Sequence, residues 1–207
     1  VSRAAGGRGC FVVFEGGEGS GKSTQARLLA GSIGGLLTRE PGGTTVGERL
    51  RDVLLDPGTG SLHPRTEVLL MAAARAEHVA TVIEPALAAG RDVVCDRFSG
   101  SSVAYQGHGR GLYPVEVARV SDWAAGGLAP DLVVLLDLSV EAAGARLSRE
   151  RDRFERAGTD FHEAVRAGFL AQAAEAPERW LVLDAERAVD DLHNAILAET
   201  RRRFGRP

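Results

Sequence analysis

Apolar residues gather in five short runs along the chain, at positions 11–14, 36–38, 93–95, 132–138 and 180–183. Several are hydrophobic on successive residues rather than alternate ones, the pattern of strands covered on both faces. Longer stretches of helical periodicity lie between them. Alternating β and α units predict an α/β fold: a five-stranded parallel sheet with helices on both faces, and ligands at the carboxyl ends of the strands. The alternation covers nearly the whole chain without an internal repeat or a linker-like tract. The 207 residues therefore read as a single domain, 1–207, large enough to bury roughly 70% of the surface of the unfolded chain. Glycines at 107–111 and at 126–127 read as turns, and the Gly/Arg-rich residues 1–8 as a flexible tail.

Composition adds mainly exclusions. A hydrophobic content of 44% and a charged content of 26% are ordinary for a globular protein. A net charge of −3 gives no electrostatic reason to expect nucleic acid or an anionic membrane as a partner. The basic cluster Arg201, Arg202, Arg203 and Arg206 follows an amphipathic segment and reads as a solvated helix C-terminus. Cys10 and Cys95 show neither C-x-x-C spacing nor a histidine cluster, which leaves zinc and redox chemistry without support. No apolar run approaches the length of a membrane span, and residues 1–8 lack a signal peptide's hydrophobic region; a cytoplasmic protein with reduced thiols is expected.

The first apolar run leads into Gly16-Gly17-Glu18-Gly19-Ser20-Gly21-Lys22-Ser23-Thr24, whose Gly16–Ser23 segment fits G-x-x-x-x-G-K-[ST], and a helical pattern follows. Glycines let the backbone curl so that successive N–H groups face one concavity at a helix N-terminus, a natural phosphate site. Lys22 can reach the outer phosphates, and the Ser23 hydroxyl is placed to ligate Mg²⁺. A second set of groups falls at the same sheet edge. Arg39-Glu40-Pro41-Gly42-Gly43-Thr44 follows the second run, and Asp96-Arg97-Phe98 the third. Asp96 is placed like a Walker B acid, and Arg97 offers a planar fork for a phosphate, although an ordinary strand-end ion pair would look the same. Met71 and Arg75, at i and i+4, share one helix face.

Together these stretches closely resemble the bacterial thymidylate kinases. They are FEGGEGSGKST (14–24), TREPGGT (38–44), AAARAEHV (72–79), DRFSGSSVAYQGHGRGL (96–112), PDLVVLLDL (130–138), RERDRFE (149–155) and FHEAVRAGF (161–169). The resemblance implies a P-loop NTPase fold of the nucleoside monophosphate kinase kind, with a short lid at about 147–158. It implies a transferase that passes the γ-phosphate of ATP, with Mg²⁺, to thymidine monophosphate (dTMP), yielding the diphosphate (dTDP) for dTTP biosynthesis. It also implies a homodimer.

By the same resemblance, Arg51 and Arg97 match the arginines on the acceptor phosphate, and Glu18 the acid at the sugar 3′-hydroxyl or nearby metal. Arg75 matches the arginine at the thymine edge, Ser102 and Gln106 the polar residues facing the base, and Tyr105 the ring that crowds the sugar 2′ position. Arg39, Glu40 and Pro41 join the acceptor site, and Asp96 joins Ser23 at the metal. The P-loop carries no arginine, so the resemblance assigns the catalytic cation to the lid, with Arg153 first and Arg149 second; a salt-bridged surface helix is the alternative for this charged run.

Two features depart from the family pattern. Met71 stands where a phenylalanine usually stacks on thymine; it is either a flexible substitute for that ring or simply core. The segment before Thr38 is short, which predicts an early helix end with a turn at Gly34-Gly35. Competing readings are a kinase of the same fold acting on another acceptor, a catalytically silent paralogue, and a GTP-binding switch. The last lacks the N-K-x-D segment that reads guanine.

Overall fold

The computed structural model describes residues 7–146, 153–154 and 156–205. Five parallel strands, β1 (Phe11–Glu15), β2 (Leu36–Arg39), β3 (Val93–Asp96), β4 (Leu132–Asp137) and β5 (Trp180–Asp184), form one sheet in the order β2-β3-β1-β4-β5. Each expected strand is present, one residue longer at its end for β1, β2, β3 and β5 and one shorter for β4. β1 and β3 are buried almost throughout, as a run of consecutive apolar residues requires, whereas the edge strands β2 and β5 alternate in exposure. Register places Phe14 opposite Asp96 and Asp96 opposite Arg39, so the strand ends expected to carry chemistry lie side by side.

Side chains on β1 point alternately to the two faces. Val12 and Phe14 pack on helices α1 (Lys22–Ile33) and α9 (Val189–Phe204), with Leu29 and Ile196 fully buried there. Phe11 and Val13 pack on the opposite side against Ile83, Leu87 and Phe98. α1 ends where expected, at a left-handed Gly34 whose N–H returns to the Ala30 carbonyl. Between β2 and β4 the chain also forms α2 (Thr45–Leu55), α3 (Pro64–His78), a π-helical turn at Val79–Ile83, α4 (Glu84–Ala88) and the short α5 (Ser99–Ser102). α6 (Pro114–Ala124), α7 (Val140–Arg146) and α8 (Thr159–Glu175) complete the helices described.

The glycines at 107–111 differ from expectation. The chain stays helical through a π-helical stretch, Val103–Gly109, and turns only after Arg110, at Gly111, where φ is 71°. Gly109 serves packing instead of turning: a Cβ there would stand 2.6 Å from the Phe161 ring, so its absence lets α8 approach. That approach builds a third apolar cluster, with Tyr105, Phe154, Val165 and Phe169 buried together. Of the expected tail, residues 1–6 lie outside the described residues, while Arg8 pairs with Asp131 at 3.0 Å. Among the described residues no helix is long and apolar enough to cross a membrane.

Candidate active site

The P-loop joins β1 to α1, and its shape follows from close backbone approach. Gly16 has φ 140°, and a Cβ on it would stand 2.4 Å from the Leu136 carbonyl oxygen. Lys22 opens α1 and folds back over the loop, donating to the Gly17 carbonyl at 2.5 Å and to Ser20 Oγ at 3.2 Å. Burial, and the Arg97 charge after it, lower the Lys22 pKa to about 8. One residue on, Ser23 Oγ donates to Asp96 Oδ2 at 2.5 Å. A hydroxyl and a carboxylate oxygen side by side are hard donors. They fit Mg²⁺, which is held by few protein ligands and keeps waters and phosphate oxygens for the rest. Among the described residues no cluster of three or more His, Cys, Asp or Glu side chains could hold a metal without such help.

Arg97 follows β3 with φ 72°, a left-handed backbone uncommon for a residue with a side chain. Surrounding bonds hold it there. Its N–H donates to the Phe14 carbonyl at 2.9 Å, and Glu15 accepts from the Phe98 and Ser101 N–H groups at 3.0 Å each. Ser101 Oγ donates to Glu15 at 2.5 Å and accepts from Arg97 Nη1 at 3.2 Å. Burial pushes the Glu15 carboxyl up to about 7, against the pull of these bonds. The Arg97 guanidinium also donates to the Gly16 carbonyl at 2.9 Å, to Glu18, and to Tyr105 Oη at 3.2 Å. Tyr105 Oη in turn donates to Glu18 at 3.1 Å. Burial raises the Tyr105 hydroxyl pKa, and Glu18 adds to the rise.

Facing this cluster is a buried polar wall. Arg75 is 2% exposed; its Nε donates to Glu40 at 2.9 Å and its Nη2 to Ser102 Oγ at 3.2 Å. Glu40 also meets His78 Nδ1 at 3.1 Å, and Thr38 Oγ1 lies 2.6 Å from the other ring nitrogen. Arg75 Nη1 and Gln106 Oε1 are buried with no partner among the described residues. Arg51 reaches the Pro41 carbonyl at 2.9 Å, and Arg39 pairs with Glu48 at 2.7 Å.

One cavity of about 440 Å³ runs from the P-loop to this wall. Glu18, Gly19, Gly21, Lys22, Ser23 and Thr24 line its first end. Asp96 and Arg97 join them, and Arg39, Glu40, Pro41, Arg51, Met71, Arg75, Ser102, Tyr105 and Gln106 also line the cavity. Gly16, Gly17 and Ser20 shape the loop from behind. Arg153 is brought elsewhere: it donates to the Leu54 carbonyl at 2.8 Å and to Glu67 at 2.5 Å, and it does not join the lining. Arg149 lies outside the described residues. Sequence reasoning missed Arg146, which lines the cavity and donates to the Gly19 carbonyl at 3.3 Å. It also missed Glu15 and Glu67. Helical spacing could have found Glu67, one turn before Met71 on the same face.

A P-loop facing a second basic site across one cavity at the carboxyl edge of a parallel sheet is the arrangement of a nucleoside monophosphate kinase. Comparison with known proteins narrows this. The family model described as thymidylate kinase matches residues 14–196. A thymidylate kinase of Leifsonia xyli subsp. xyli is 51% identical over 204 residues, covering 95% of this chain and 94% of the relative. One from Pelotomaculum thermopropionicum is 50% identical over 198 residues, 92% of each. The crystal structure of the Ehrlichia chaffeensis thymidylate kinase superposes with a TM-score of 0.78 at 30% identity, covering 94% of this chain and 99% of that one. The chain belongs to the thymidylate kinase family.

Proposed function

We propose that the chain transfers the γ-phosphoryl group of ATP to dTMP within the cavity described above, as one kinase domain with its lid at 147–158. The observation that carries this reading is the pairing of a P-loop with a buried polar wall across one cavity, with Arg97 between them.

P-loop N–H groups and Lys22 hold the donor's phosphates, Lys22 exchanging its bond to Gly17 for phosphate oxygens. Ser23 and Asp96 would hold Mg²⁺, which would supply positive charge to the phosphate oxygens. Arg97 and Arg51 hold the acceptor phosphate, with Arg39, Glu40 and Pro41 behind them. Glu18 and Tyr105, hydrogen-bonded to each other, meet the sugar, the ring crowding its 2′ position. Arg75, Ser102 and Gln106 read the base edge. The Met71 thioether lies against the ring face, a softer contact than an aromatic stack. The lid supplies a cation for the transferring group. The ion pair from Arg153 to Glu67 favours Arg149 for that role and Arg153 as the lid's anchor. By family resemblance the enzyme works as a homodimer, and its place is the cytoplasm.

The test is diphosphate formation from Mg·ATP with dTMP, dUMP, dCMP and UMP as acceptors. Strong preference for dTMP is expected. Preference for another acceptor would move the substrate assignment, and no transfer to any would sink the reading.

A further inference from the structure

Glu67 is fully buried on α3, one turn before Met71 and two before Arg75. Its carboxylate takes three donors: Arg153 Nη1 at 2.5 Å, Gln106 Nε2 at 3.2 Å and Arg110 Nε at 3.3 Å. A carboxylate paired with two guanidinium groups accepts hydrogen bonds and cannot donate them. The Gln106 amide can therefore turn only its NH₂ toward Glu67. Its Oε1, at a residue lining the cavity, is left buried without a partner among the described residues. Across the base-reading wall, Arg75 Nη1 is likewise buried and unpartnered, and it can only donate.

We infer that Glu67 is a positioning residue for acceptor selectivity: by fixing the Gln106 amide it presents an acceptor that pairs with an imide N–H. The inference rests on the proposed dTMP kinase function and deepens it. Thymine and uracil carry an N3–H donor beside a C4 carbonyl acceptor. They match Gln106 Oε1 and Arg75 Nη1 in turn. Cytosine presents a bare N3 acceptor beside a C4 amino donor and opposes both. Leaving two buried polar atoms unpaired discriminates more strongly than a small difference in shape.

The sharp variant is Glu67→Gln, which keeps the volume but can donate as well as accept, so Gln106 is free to flip. Steady-state kcat/KM is measured for dTMP, dUMP and dCMP with wild type and variant, alongside thermal unfolding. The dTMP-over-dCMP ratio is expected to fall by about 10- to 100-fold, Arg75 keeping the rest. The dTMP-over-dUMP ratio, which depends on the 5-methyl group, is expected to stay within about twofold, because Gln106 does not read that methyl. An equal loss for all three acceptors, or a change in both ratios, would make Glu67 merely structural and overturn the inference.

If Glu67→Gln does not fold, the wild type answers by NMR. Nuclear Overhauser contacts from the Gln106 side-chain NH₂ to the Glu67 methylene protons are expected, and NH₂ contacts to bound nucleotide in their place would overturn it. Wild-type failure to phosphorylate dTMP would instead defeat the functional reading, and the NMR readout would still report the amide's orientation.

Discussion

An ammonium buried beside a guanidinium is costly to keep charged, and Lys22 is held in that position before any nucleotide arrives. Its lowered pKa of about 8 means that between about pH 8 and the ordinary lysine value the folded protein binds fewer protons than the unfolded chain. Its contribution to stability is therefore complete above the ordinary lysine value and is lost as pH falls through about 8. Nucleotide binding runs the other way. Triphosphate favours the ammonium, so above about pH 8 binding must take up a proton. Calorimetry with Mg·ATP is expected to show affinity weakening by up to about tenfold per pH unit above about 8, a slope that Lys22→Ala abolishes. That variant is also expected to lower kcat by about 10²–10³-fold, as the loss of an electrostatic donor does elsewhere. Retained turnover would remove Lys22 from the chemistry. Glu15 has the opposite sign: with its carboxyl raised to about 7, its contribution is complete below the usual carboxylate value and is lost as pH rises through about 7.

At the scale of elements, the P-loop separates two neighbouring glycines by what surrounds them. Gly16 combines φ 140° with a 2.4 Å approach to the Leu136 carbonyl, whereas a Cβ on Gly17 would meet nothing within 4 Å. Gly16→Ala is expected to cost about 2 kcal/mol or more and to lower Tm by about 4–8 °C, while Gly17→Ala stays within about 0.5 kcal/mol of wild type. Thermal unfolding of the two variants checks this, and equal behaviour would contradict the loop geometry.

The same scale shows what was legible in the sequence. The P-loop could be read because its chemistry is local and every position lies within one short segment. The buried strands could be read because two covered faces leave only apolar residues. The stretch at 103–109 could not, because its glycines look like turn residues, and only packing against other helices, Pro114 of α6 on Gly107 and Phe161 of α8 on Gly109, explains why side chains are missing there. Arg153 and Arg146 were illegible for a related reason. Nothing in the charges of α7 and the run after it tells which arginine meets Glu67 and which crosses to the Gly19 carbonyl.

For the whole molecule, the parallel sheet turns every strand's carboxyl end to one side, and the cavity draws its walls from segments far apart in sequence. A ligand there ties P-loop, DRF turn and α3 together, so occupancy is expected to stabilise the fold as a unit. At about one hundred times its Kd, dTMP is expected to add about 2.7 kcal/mol and raise Tm by about 5–10 °C. Unfolding scans with and without nucleotide measure this; no shift would mean that dTMP does not bind the folded chain.

The two tryptophans stand in unlike surroundings. Trp123 is 83% exposed on α6, whereas Trp180 is half-buried at the start of β5, within 3.3 Å of where a Cβ on Gly100 would stand, just past Arg97. In optical terms the molecule therefore holds one solvated indole and one shielded one. A collisional quencher such as iodide silences the first and leaves the second as an unlabelled reporter of the turn that carries Arg97.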